Sequence, residues 1–171
     1  MNTLVLALVA ITTTAQAVSV VGKPEGFGAG TTGGAGGKTV TPTTIAQLSS
    51  YLQSSEALTV VLTKTFDFRK TEGFATETGC APYGTGSSCQ LAINKNEWCT
   101  NYNPNAPKVK VTYDKAAENP ILVSSHKTII GQGKTGVILG KGLRLANGVK
   151  NVIIQNIEIS QLNPQYVGFP A

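Results

Sequence analysis

From Lys108 onward the chain is a succession of short apolar runs. They are Val109-Lys110-Val111, Ile121-Leu122-Val123, Thr128-Ile129-Ile130, Val137-Ile138-Leu139, Leu143-Arg144-Leu145, Val152-Ile153-Ile154 and Ile157-Glu158-Ile159. Gly, Asn or Lys separates them, and no segment of helical periodicity intervenes. Strands joined without helices do not fit alternating βαβ units. Brief strands repeated with tight turns suit a parallel β-solenoid, in which each coil buries its apolar face on the coil before it. A β-sandwich is the competing arrangement. Asn156, between two of the runs, is expected at a turn, bonding its counterpart in the next coil so that amide groups are not buried unpaired; otherwise it is an ordinary solvated turn residue.

The first part of the chain reads differently. Gly22 to Gly37 is too rich in glycine for a helix or a long strand. Ile45, Leu48 and Leu52 have helical spacing, with Thr43 or Thr44 as a possible N-cap. Leu58 to Thr63 predicts a buried strand, followed by Phe66-Asp67-Phe68. Residues 70–107 form a long polar insertion bearing Cys80, Cys89 and Cys99. A loop of that length needs a staple to be ordered in a compact domain.

Residues 1–17 have the form of a secretory signal peptide: a short apolar run from Leu4 to Ile11, then Ala15-Gln16-Ala17 as a small-x-small cleavage site. The run is too short to span a membrane. The expectation is a secreted, extracellular protein with no membrane association once the signal is removed. The domain is then residues 18–171. With 41% apolar residues and 13% charged, the composition is that of a folded chain, not a disordered one. The net charge of +5 is spread over Lys108, Lys110, Lys127, Lys134, Lys141, Arg144 and Lys150 without a dense run or interleaved aromatics. A solvated basic surface is favoured over nucleic-acid binding. Such a surface also suits an anionic extracellular polysaccharide.

An oxidising compartment favours a disulfide. Three cysteines allow three single bridges, and their spacing does not choose among them. No zinc site is expected, because His126, the only histidine, lies far from the cysteines. Two matches to G-x-G-x-x-G, at Gly28–Gly33 and Gly131–Gly136, lack the helix that would meet a pyrophosphate. His126 has only Ser124, Ser125 and Lys127 beside it, and reads as a surface turn residue. Asp67, Glu72 and Glu77 could form a glycosidase-like carboxylate pair, but are as well explained as surface charge. Trp98, Tyr83 and Tyr102 surround the cysteines; such rings either stack on sugar faces or pack the insertion against the solenoid.

Several strings together resemble the secreted fungal pectin lyases. They include Pro24-Glu25-Gly26-Phe27, Thr76-Glu77-Thr78-Gly79-Cys80, Trp98-Cys99, Val111-Thr112-Tyr113-Asp114, Ile130-Gly131-Gln132-Gly133, Gly140-Lys141-Gly142-Leu143-Arg144 and Lys150-Asn151-Val152-Ile153-Ile154-Gln155-Asn156. The resemblance runs in order to Val167 and covers the N-terminal half of the family's domain. There the family continues with Trp-Gly-Gly-Asp and this chain with Gly168-Phe169-Pro170-Ala171. The resemblance implies an all-β fold, a right-handed parallel β-helix, here truncated after the first few coils. It implies eliminative cleavage of methyl-esterified polygalacturonan (pectin). A base removes the C5 proton beside the esterified carboxyl and the C4 oxygen leaves, with no cofactor and no metal. The family's catalytic arginine and neighbouring aspartate fall beyond the matched segment, so no catalytic residue is carried over. Carried over as substrate-binding residues are Tyr83, Trp98 and Tyr102, and as a disulfide Cys80 with Cys99, which leaves Cys89 free. The expected partner is pectin and the expected state a monomer, aggregation-prone if its last coil is uncovered. The alternatives are a non-catalytic pectin-binding solenoid and a calcium-dependent pectate lyase.

Overall fold

The computed structural model describes residues 18–164, 166 and 167; the expected signal peptide (1–17) and the tail 168–171 lie outside the described residues. Among the described residues thirteen strands, β1 to β13, are arranged in four sheets. The first sheet holds β1 (Lys38–Val40), β2 (Leu58–Leu62), β8 (Lys127–Gly131) and β11 (Val152–Gln155), all parallel. The second holds β3 (Thr65–Asp67), β9 (Val137–Leu139) and β12 (Glu158–Ser160), and the third β7 (Ile121–Leu122) and β10 (Leu143–Arg144), again parallel.

The order of visits identifies the architecture. From β7 the chain passes to the first sheet at β8, the second at β9, back to the third at β10, then to β11 and β12. Each circuit lays its strands in register on the previous one: Val60 beside Ile129 and Ile129 beside Ile154, Phe66 beside Ile138 and Ile138 beside Ile159. This is a parallel β-helix. Its interior is the column of Val60, Leu62, Phe66, Ile129 and Ile138, all buried, with Ile121 and Leu143 facing them from the third sheet. Burying each such side chain contributes about 1.5–3 kcal/mol. Among the described residues no strand lies beyond β11 and β12, and Ile154 and Ile159 are partly exposed there.

The predicted helix is α1 (Ile45–Gln53). Thr44 is its N-cap, its hydroxyl accepting the Gln47 N–H at 3.1 Å, while Gln47 Oε1 accepts the Thr43 N–H. This is the reciprocal pattern of a capping box, displaced by one residue. Leu48 and Leu52 enter the same core. The chain turns from α1 into β2 over Lys127, which is buried among carbonyls: its Nζ donates to the oxygens of Ser54 (2.8 Å), Glu56 (2.6 Å) and Ser125 (3.2 Å).

Three expectations are revised. The glycine-rich stretch includes one short 3-10 turn, Gly26–Gly28, and another, Lys115–Glu118, interrupts the later strands. Asn156 does not pair with another asparagine. It takes a left-handed conformation, and its Nδ2 donates to the carbonyls of Gly131 (2.8 Å) and Gly133 (2.7 Å). The coil-to-coil tie is therefore side chain to backbone. The insertion is not wholly irregular: its residues 74–80 and 91–92 are strands of a fourth sheet, and the run Val109-Lys110-Val111, expected among the parallel coils, pairs antiparallel with the first of them there.

Candidate functional site

The fourth sheet has the order β13–β5–β4–β6, built from β4 (Phe74–Cys80), β5 (Leu91–Ala92), β6 (Lys108–Asp114) and β13 (Tyr166–Val167). β4 and β6 run antiparallel over their whole length, from Phe74 opposite Asp114 to Cys80 opposite Lys108. Strand alternation separates two faces. Val109, Val111 and Tyr113 turn one way, into a small core with Ala75, Leu91 and Ile93. Burial there, then the nearby Glu118 and Glu77 carboxylates, push the Tyr113 phenol up to about 12. Phe74, Thr76, Thr78 and Cys80 turn the other way with Lys108, Lys110 and Thr112, and the hydroxyls of Thr76 and Thr112 meet across the strands at 2.9 Å.

On that second face sits α2 (Trp98–Tyr102). The Cys80–Cys99 disulfide pins it, and Trp98 and Ala106 pack against Cys80, Ala92 and Cys99. A five-residue helix has too few internal bonds to persist alone. Asn96 and Glu97, which lead into it, both adopt left-handed backbone conformations. For residues other than glycine these cost about 1–2 kcal/mol each. The surroundings hold this approach in place: the Asn94 side chain accepts the Cys99 N–H at 2.9 Å, and Glu77 Oε1 accepts the Asn94 N–H at 3.2 Å. Strain retained by such over-determined contacts is a mark of functional segments.

The result is a pair of rings on the surface. Trp98 and Tyr102 are stacked, centroids 6.0 Å apart and planes 28° from parallel, with Tyr102 72% exposed. Stacked rings fixed to a rigid support offer apolar area at little entropic cost. Tyr83, 56% exposed, lies in the loop after β4. The free Cys89 thiol is in the same loop. Neither of the two described depressions, of about 410 and 350 Å³, is lined by Tyr83, Trp98 or Tyr102.

The candidate carboxylates do not converge. Asp67 is bound by the Arg69 guanidinium at 2.7 Å, which holds its carboxyl below the usual range. Glu72 pairs with Lys141, chiefly for which its carboxyl is lowered; Asn119 donates to its other oxygen at 2.5 Å. The nearly buried Lys141 ammonium also donates to the Asn119 carbonyl at 2.6 Å and lies 5.9 Å over the Phe68 ring. Glu77 orders Asn94, as above. Sequence reasoning missed the partners of Glu72, because they are distant in the chain; only the register of the coils brings them in. No group of three or more His, Cys, Asp or Glu able to hold a metal occurs among the described residues.

His126 is a structural turn residue. Asn151 Oδ1 accepts the N–H groups of Thr32 (2.7 Å) and Gly33 (2.8 Å), so its Nδ2 faces His126 Nδ1 at 2.8 Å, which acts as acceptor. The two glycine motifs are also structural. A Cβ at Gly34, just past the first, would overlap the Leu58 carbonyl, and Gly131 to Gly136 leads into β9 rather than a helix. No helix among the described residues is long and apolar enough to cross a membrane.

No protein-family model matches the chain. It is 61% identical over 162 residues to a protein named pectin lyase from Colletotrichum gloeosporioides, which covers 94% of this chain and 43% of that protein. It is 58% identical over 163 residues to pectin lyase B of Emericella nidulans, and 56% identical over 163 residues to a probable pectin lyase A of Aspergillus terreus. Each of these matches covers 95% of this chain and 43% of the relative, so the chain spans less than half the length of the relatives it matches.

Proposed function

The chain is a homologue of the pectin lyases over nearly all of its own length, and on that premise we propose that it carries the substrate-holding part of a pectin lyase. The substrate is methyl-esterified polygalacturonan. The reaction is elimination: a base takes the C5 proton, the neighbouring ester stabilises the carbanion, and the C4 oxygen departs. A neutral ester needs no cation to offset its charge, so calcium is not required. Sugar faces stack on Trp98 and Tyr102, with Tyr83 as a further contact, and the Cys80–Cys99 bridge keeps the first two in place. No residue of this chain is assigned the role of base. The protein acts outside the cell, as a monomer, after removal of residues 1–17.

The observation that carries this reading is the identity running along 94% of the chain. The exposed Tyr102 ring, stacked on the half-buried Trp98, supports it, being of the kind that holds sugars. The test is binding of highly methyl-esterified pectin to the purified chain, with a chelator present, by wild type and Tyr102→Ala. Tyr102 is exposed, so its loss spares the fold. The expected result is chelator-insensitive binding, weakened about three- to tenfold by the substitution. Absence of binding, or equal binding by the variant, refutes the reading. Binding that needs calcium assigns the chain to the pectate-lyase type instead.

A further inference from the structure

Lys108 and Lys110 are neighbours on one face of β6, about 7 Å apart by the repeat of a strand. Both are exposed, and neither joins an ion pair among the described residues. The register fixes what lies beside them: Lys108 is opposite Cys80 and Lys110 opposite Thr78. Cys80 is itself opposite Ala92 and bonded to Cys99 of α2. The two ammonium groups therefore stand on the same face of the fourth sheet as the helix bearing Trp98 and Tyr102. Thr76, Thr78 and Thr112 extend that face with hydroxyls, and Phe74, 55% exposed, ends it. Among the β4 and β6 residues of that face the one carboxylate, on Asp114, is occupied by the N–H groups of Lys70 (2.6 Å) and Ala116 (3.0 Å).

We propose that this face is a second subsite, which takes unesterified, carboxylate-bearing galacturonate units next to the neutral units stacked on Trp98 and Tyr102. The inference rests on the function proposed above and narrows its substrate to partly esterified chains. The argument is charge complementarity. Ring faces hold neutral sugars without regard to esterification, whereas an ammonium distinguishes a carboxylate from its methyl ester. The threonine hydroxyls match sugar hydroxyls, as donors and acceptors both. Two cations on a rigid strand, in no ion pair among the described residues, are placed to do this.

The experiment compares two ligands, an unesterified oligogalacturonate and the same oligomer fully methyl-esterified, on wild type, Lys108→Gln/Lys110→Gln and Lys108→Arg/Lys110→Arg. Thermal unfolding checks that the variants fold. The Gln pair should weaken the unesterified ligand about three- to tenfold and leave the esterified one unchanged, and the Arg pair should retain both. Wild-type affinity for the unesterified ligand should fall with added salt. Equal affinity of the Gln pair and wild type for the unesterified oligomer overturns the subsite and leaves the proposed function standing. Failure of wild type to bind either oligomer overturns both. Lysine-dependent binding of a single-stranded DNA oligonucleotide with equal affinity also overturns the subsite, since the face would then be a general polyanion surface.

Discussion

Removing the Cys80–Cys99 bridge tests how the aromatic surface is held. The bridge joins residues 19 apart in sequence. Cross-linking a loop of that size lowers the unfolded chain's entropy enough to stabilise the fold by about 3 kcal/mol. The rest of the support is slight: α2 has five residues, and two left-handed residues precede it. The double variant Cys80→Ser/Cys99→Ser, in a Cys89→Ser background that excludes other pairings, should therefore lose about 3 kcal/mol from the stability of the insertion. Trp98 is the only tryptophan, so its fluorescence reports α2 directly, while far-UV circular dichroism reports the coils. In urea the fluorescence transition should move to lower concentration than the dichroism transition, because the insertion opens before the β-helix. Pectin binding should weaken with it. A loss below about 1 kcal/mol, with the two transitions still coincident, would refute the view that the bridge, rather than packing against Ala92 and Ala106, holds the rings in position.

Two further outcomes follow from the buried cations. Lys127→Met keeps the length and apolar stem of the side chain but leaves the Ser54, Glu56 and Ser125 carbonyls without their donor. Part of that loss is offset by no longer burying an ammonium, so urea unfolding should show a net cost of about 2–4 kcal/mol; a stabilised variant would contradict this assignment. Glu72, its carboxyl lowered by Lys141, stabilises the fold above the ordinary glutamate value of 4.5, and that contribution disappears as pH falls through the lower folded value. The acid limb of a Tm-against-pH curve should be shallower in Glu72→Gln; identical limbs would show that the pair contributes nothing.

The coils were legible because their signal is local. Runs of two to four apolar residues punctuated by Gly and Asn admit few folds, and the spacing of Ile45, Leu48 and Leu52 marked α1 to within a turn. The insertion was not legible in that way. Phe74–Cys80 alternates Phe, Thr, Thr and Cys with Ala, Glu and Gly, too polar a run to announce a seven-residue strand. It becomes one because β6 supplies its ladder from more than twenty residues away and the disulfide closes the end. The role of Asn156 was half legible: the turn was foreseen, but a donor meets whichever acceptor the neighbouring coil presents, and here that is backbone carbonyl.

The sequence by itself determined the repeating coil, because a short strand with one apolar face has nowhere to bury it except on another like it, and it determined the kinship, because the matching strings occur in order along the chain. Only the tertiary structure decided what the site is made of. Which of three bridges the cysteines form, which cation answers Glu72, and which face of β6 Lys108 and Lys110 share with Trp98 and Tyr102 all depend on register. A shift of one residue would turn every side chain of that strand to the opposite face, and register is set by contacts between segments, not within them.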